Sequence, residues 1–175
     1  MILEKTSFIT SYKSTTPKNR ERGGGYLSLK QNPLKASFEL NIQGMIFTIP
    51  TELADLRAEI MRSAYILGLA DNWDDEGSVG YDKATWEKGV VFVIDYAKWA
   101  LKTFGKVIYL PSIYHGKQGG IDIIWENNRF RMLIRIDKTA KTGVFYADTP
   151  QKQTSEGEFD LNNLNYYMLP IPIDF

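Results

Sequence analysis

Hydrophobic and polar positions alternate at Phe38, Leu40 and Ile42, and again at Phe47 and Ile49, with Gln43-Gly44 between the two runs. A period of two around a glycine turn predicts a β-hairpin. The period then lengthens. Leu53, Leu56, Ile60, Ala64 and Leu67 recur at spacings of three and four. That predicts a helix starting at Pro50-Thr51 and ending near Gly68, with Thr51 as N-cap and Glu52 and Asp55 in the first turn, where the helix dipole favours them. A second helix is predicted from Asp82 as N-cap to about Phe104, closed by Gly105. Val90, Val93, Ile94, Ala97, Leu101 and Phe104 supply its core face. Trp86, Phe92, Tyr96 and Trp99 widen it, so this helix is expected to be covered on more than one side.

Beyond residues 106–110 and a loop over 111–119, alternation returns in three predicted strands, 120–126, 129–137 and 143–148. Asn127-Asn128 reads as a type I′ turn, because asparagine tolerates positive φ. That turn sets Glu126 opposite Arg129, Trp125 opposite Phe130, Ile123 opposite Met132 and Ile121 opposite Ile134. One face of the pair is then apolar and packs on the helices. The other carries Asp122, Glu126, Arg129, Arg131 and Arg135. Residues 150–163 are polar and acidic and read as a loop. The tail, 165–175, is apolar, but its two prolines forbid a helix or a central strand, leaving an extended segment on an edge or in a groove.

The expected fold is therefore α+β: two helices packed on an antiparallel sheet, with an N-terminal hairpin region. The expected organisation is a basic arm over 1–35, one domain over 36–150, and a polar loop with an apolar tail over 151–175. Charge singles out the arm. Lys5, Lys13, Lys18, Arg20, Arg22, Lys30 and Lys35 face only Glu4 and Glu21, although the 175-residue chain has formal net charge +0. The neutral balance gives no global reason to expect nucleic acid or a membrane surface as partner. No cysteine is present, which removes disulfides, thiolate nucleophiles and cysteine-ligated zinc. The first residues hold no apolar run of signal-peptide length, and no stretch approaches the roughly 18 apolar residues of a membrane span. A cytoplasmic location is the expectation.

The acidic stretch 71–77, Asp-Asn-Trp-Asp-Asp-Glu-Gly, invites a metal reading. A calcium loop needs oxygen ligands at its first, third and fifth positions and glycine at its sixth. Starting at Asp71 puts Trp73 third and Glu76 sixth, and starting at Asp74 puts Val79 sixth, so neither register fits. The stretch reads instead as a connection between helices, with Trp73 turned inward as an anchor and Asp74 and Asp75 left as an acidic patch for a basic partner. His115, the single histidine, has no cysteine or histidine to share a metal with; a general acid or base paired with Asp122 or the acidic stretch is its remaining chemical role. Lys117 lies among glycines but lacks phosphate-loop spacing. Gly119-Gly120 reads as the start of a strand where another backbone comes close. No metal site, cofactor site or catalytic constellation emerges.

Three binding readings remain. Arg129, Arg131 and Arg135 on one sheet face would suit phosphate, although cross-strand carboxylates compete for them. Lys18, Arg20 and Arg22 would suit nucleic acid as a phosphate-contacting arm. Ile171, Ile173 and Phe175 alternate with Pro170, Pro172 and Asp174, so the tail either joins this chain's own core or adds to the edge strand of a partner.

The motifs also carry a resemblance. Trp-Asp-x-x-Gly at 73–77, a long helix, Pro111, Gly-Gly-Ile-x-Ile-x-Trp at 119–125 and a strand ending in Gly-x-x-Tyr at 143–146 are similar to a group of short bacterial and mobile-element proteins. The similarity covers roughly residues 70–148. In that group a Trp-Asp/Asn motif precedes a helix, and a Gly-Gly-Ile motif opens a small antiparallel sheet. The acidic Asp75-Glu76 and the long N-terminal region depart from the pattern. The resemblance implies a helix followed by a sheet, and a bacterial or mobile-element setting of the defence or toxin–antitoxin kind. It implies no activity. The expectation for function is a non-enzymatic binding or accessory protein that contacts another protein or a second copy of itself, with nucleic-acid binding through the arginines and the arm as the alternative.

Overall fold

The computed structural model describes residues 36–148 and 154–173. Lys18, Arg20, Arg22 and Phe175, and with them the basic arm 1–35, lie outside the described residues. The fold is α+β, with two helices and two antiparallel sheets.

The hairpin forms as its alternation predicts. β1 (Ser37–Ile42) and β2 (Met45–Pro50) pair with Leu40 opposite Phe47 and Phe38 opposite Ile49. Gln43 and Gly44 both take positive φ, 50° and 82°, the conformation that a two-residue I′ turn demands. The first helix is shorter than its periodicity suggests. A 3-10 turn (Thr51–Leu53) leads into α1 (Leu56–Ser63), and a second 3-10 turn (Ala64–Gly68) follows. Thr51 does not cap it; its amide and hydroxyl face the carbonyl of Ala36 instead, at 3.1 and 3.5 Å. The predicted apolar spacing survives because 3-10 and α turns differ by little over so short a stretch: Leu53, Leu56 and Ile60 are all buried.

α2 (Lys83–Phe104) matches its predicted span. Asp82 precedes it in extended conformation, without a side-chain cap, and Gly105 closes it at φ 67°. Its breadth of apolar surface meets several elements, while Glu87, Val91 and Asp95 form an exposed face. Trp86 packs edge-on against Phe47 of the hairpin, and its indole N–H donates to Ser63 Oγ. Tyr96 stacks with Phe92, Trp99 and Tyr166 and meets Trp125 of the sheet edge-on.

The large sheet is a five-stranded meander, β3 (Ser112–His115), β4 (Ile121–Asn127), β5 (Phe130–Ile136), β6 (Thr142–Asp148) and β7 (Thr154–Asp160), in spatial order equal to chain order. Three corrections arise here. β3 occupies part of the expected loop 111–119. β7 occupies part of the expected acidic loop. The β4–β5 turn is Asn128-Arg129, neither at positive φ, so Glu126 pairs with Arg131, Trp125 with Met132, Ile123 with Ile134 and Ile121 with Ile136. Each partner is two residues further along β5 than the asparagine turn suggested. A slip of two keeps every side chain on its own face. The apolar face of Ile121, Ile123, Trp125, Met132 and Ile134 therefore packs into the core as expected.

Gly120 sits where another backbone does come close: a Cβ there would meet the carbonyl oxygen of Ile136 at 2.6 Å. After β7 the tail crosses the outer side of α2. Leu169 and Ile173 are buried, Tyr96 donates to the carbonyl of Pro170, and the amide of Tyr109 donates to the carbonyl of Pro172. Of the two expected places for the tail, it takes this chain's own core. Among the described residues no helix is long and apolar enough to cross a membrane.

Candidate functional site

The face of the large sheet that points away from α2 is the surface on which the polar residues converge. Its side chains are ordered by register into rows. Tyr114, Asp122, Arg135, Val144 and Glu158 form one row across all five strands. Ser112, Ile124, Leu133, Tyr146 and Glu156 form the next, and Glu126, Arg131, Asp148 and Thr154 a third. The middle of this face is apolar and accessible: Tyr114 is 39 % exposed, Val144 47 % and Tyr146 42 %. Leu133, Arg135, Val144, Tyr146 and Glu156 border a shallow depression of about 350 Å³.

The charges on this face are mainly negative. Asp122, Glu126, Asp148, Glu156, Glu158 and Asp160 outnumber Arg131 and Arg135. The arginines are also engaged. Arg135 donates through Nε and Nη2 to both oxygens of Asp122, each at 2.7 Å, and this pairing raises the guanidinium's pKa. Arg131 lies 3.9 Å from Glu126 in an exposed pair of small energetic weight. Arg129 stands apart in the turn, its amide bonded to Asn127 Oδ1 at 2.8 Å. The structure therefore does not assemble the three arginines into one phosphate cradle; it gives two of them carboxylate partners within an acidic field.

The acidic stretch folds on itself. Tyr81 N–H donates to the carbonyl of Leu69 at 3.0 Å, which closes a compact loop between α1 and α2. Asp71 Oδ1 accepts from the amide of Gly80 at 2.7 Å, and Asn72 Oδ1 from the amide of Gly77 at 2.8 Å. Asp74 Oδ1 accepts from the amides of Glu76 and Ser78, and Oδ2 from the Ser78 hydroxyl. The Ser78 hydroxyl is the main reason that Asp74 is held below the usual carboxylate range, with the two amides adding to it. Asp74 is thus an organiser of the loop, whereas Asp75 and Glu76 point to solvent. Among the described residues no group of three or more His, Asp or Glu side chains is placed to hold a metal ion.

Trp73 is not an inward anchor. It stays 37 % exposed and leans edge-on against His115, ring centres 4.9 Å apart. Tyr65 and Tyr81 complete an aromatic cluster around the histidine, and Tyr65 Oη lies 2.8 Å from His115 Nδ1. Tyr81 is pushed up in pKa by burial first and by the charge of Asp122 second, and donates to the carbonyl of Gly116 at 2.6 Å. The register puts His115 beside Ile121 and Asp122 beside Tyr114, on alternate faces of the sheet. His115 and Asp122 are therefore not brought together as a base and its orienting carboxylate.

Tyr114, Tyr146, Glu156 and Glu158 join this face without standing out in the sequence. Val144 and Tyr146 alternate visibly in β6. Glu156 and Glu158 are hidden because their stretch has the polar, acidic composition of a loop. Of the residues singled out in the tail, Ile173 is buried and Ile171 half-buried in this chain's own core. Comparison with known proteins finds no matching family model, no matching curated protein and no matching solved structure.

Proposed function

We propose that this chain is a non-enzymatic binding protein that holds a basic partner protein against the open face of its five-stranded sheet. One observation carries this reading: an accessible apolar strip, Tyr114, Ile124, Leu133, Val144 and Tyr146, framed by carboxylates on a face that, among the described residues, meets a helix only where Arg62 of α1 reaches over the Tyr114 ring. An apolar centre within a charged rim is the general anatomy of a protein–protein contact. The excess of carboxylates favours a partner rich in lysine and arginine, and weighs against nucleic acid on this face. A five-stranded face with strands of up to seven residues measures roughly 20 Å by 20 Å. That is below the ~800 Å² per partner of a standard stable interface, so the contact belongs to the transient class. The resemblance to bacterial and mobile-element proteins suggests an accessory role in such a system.

The test is an NMR titration with an amphipathic helical peptide whose leucine stripe is flanked by lysines. The expected result is micromolar binding, weakened by salt, with shifts centred on Leu133, Val144, Tyr146 and Glu156 and abolished by Val144→Glu with Tyr146→Glu. No shift on this face at millimolar peptide, or shifts confined to another surface, would remove the proposal's support. A duplex DNA titration run beside it addresses the alternative: salt-sensitive binding lost on reversing Lys18, Arg20 and Arg22 would favour nucleic acid.

A further inference from the structure

The two edges of the large sheet are treated differently. At β3 the edge is closed. Glu59 Oε1 accepts from the amide of Ile113 at 2.5 Å, and Arg62 Nη2 donates to the carbonyl of Ile113 at 3.2 Å, so two side chains of α1 stand where a neighbouring strand would bond. At β7 no such cover exists among the described residues. β7 pairs with β6 on one side only, and among the described residues its further backbone bond is the turn bond from the amide of Asn163 to the carbonyl of Asp160. An uncovered seven-residue edge is a template for another strand.

The side chains of β7 define which strand fits. Glu156, Glu158 and Asp160 are exposed, alternate along the strand and share the open face. Antiparallel pairing of β7 with a second β7 would set carboxylates against carboxylates, which is unfavourable. A strand with basic residues at the same spacing of two would match all three. The chain contains one such stretch in Lys18-Asn19-Arg20-Glu21-Arg22. Its alternation suits a strand: in an extended chain the three basic side chains share one face, whereas a helix turning about 100° per residue would split them between two sides. Residues 23–35 separate it from the hairpin and span up to about 43 Å when extended, enough to cross a domain of this size.

We propose that the outer edge of β7 takes the chain's own Lys18–Arg22 stretch as a sixth strand. Antiparallel pairing places Lys18 by Asp160, Arg20 by Glu158 and Arg22 by Glu156. This contact does not rest on the partner-binding reading: it uses the edge of the sheet, and the helical-peptide titration reads the face.

The test is amide hydrogen exchange on the full chain, resolved along residues 154–160. The β7 amides that point away from β6 are expected to exchange at least tenfold more slowly in the unmodified chain than in the triple variant Lys18→Glu, Arg20→Glu, Arg22→Glu. Adding Glu156→Lys, Glu158→Lys and Asp160→Lys to that variant is expected to restore the protection, while the β6-bonded amides stay unchanged throughout. Equal exchange in the unmodified and arm-reversed chains overturns the proposal. So does protection that the reversed edge fails to restore, or protection that rises with protein concentration, which would assign the strand to a second copy. If six reversals unfold the sheet, Arg20→Gln and Glu158→Gln, singly and together, replace them. Each single change is then expected to lower protection severalfold and the pair to cost no more than either alone; additive losses overturn the proposal.

Discussion

Glu59 shows how much one residue does here. It is buried on α1, yet its carboxylate is satisfied three times: by the Ile113 amide, and by Arg62 through Nε at 2.8 Å and Nη2 at 2.5 Å. Arg62 in turn lies over the ring of Tyr114, 4.9 Å from its centre. Glu59→Ala would leave a buried amide without an acceptor and a guanidinium without its partner. The expected loss is about 3 kcal/mol in urea unfolding, against a smaller loss for Glu59→Gln, which still offers an acceptor. The Glu59–Arg62 spacing of three was visible in the sequence and reads as an ordinary helix pair. That it closes a strand edge was not visible, because Ile113 is 54 residues away from Glu59. The same limit applied to Arg135. Its alternation with Arg131 was legible, but its direct partner became Asp122 only when the turn moved from Asn127-Asn128 to Asn128-Arg129.

At the scale of elements, β6 and β7 are joined by a reciprocal arrangement. Gly143 faces Phe159, and Phe145 faces Gly157. Each ring lies over the opposite glycine: a Cβ on Gly143 would fall 2.5 Å from Phe159 Cζ, and one on Gly157 would fall 2.7 Å from Phe145 Cε1. Glycine in a strand weakens it through backbone entropy, and the covering aromatic ring offsets that loss. Gly143→Ala is therefore expected to destabilise the protein by about 1–3 kcal/mol by thermal or urea unfolding, because the Phe159 ring must move within a packed core. Phe159→Leu in the same chain should return part of that loss, and the deficit from additivity measures the contact. The repeated Gly-x-Phe at 143–145 and 157–159 was the sequence signal for this pair. It was masked by the acidic residues between and around it, which resemble a solvated loop when the alternation with glycine and phenylalanine is not counted. α1 illustrates the opposite case: its apolar period is legible in sequence, but Thr51 bonds to Ala36 instead of capping, and 3-10 turns flank the α-helical part.

At the scale of the molecule, α2 is enclosed between the sheet, the hairpin and the tail. Tyr166, pushed up to about 12 by burial and then by the charge of Asp95, stacks on Tyr96 and stands close to Trp99. The tail is part of the core, so Leu169→Ala is expected to cost about 2–4 kcal/mol within a single unfolding transition. A loss below about 0.5 kcal/mol would mean that the tail contributes little to the fold. The amino-acid sequence by itself determined the α+β class, the hairpin, the span of α2 and the inward and outward faces of β4 and β5. Those features depend on periods of two and 3.6 and on local turn and cap chemistry, all of which act over a few residues. The tertiary structure alone decided that the tail docks on its own chain and that one sheet edge is closed by Glu59 and Arg62. It also decided that Asp122 takes up Arg135 and that the open face carries an acidic frame around an apolar strip. Each of those outcomes joins residues far apart in the chain, where register and packing choose among partners that the local pattern leaves equivalent.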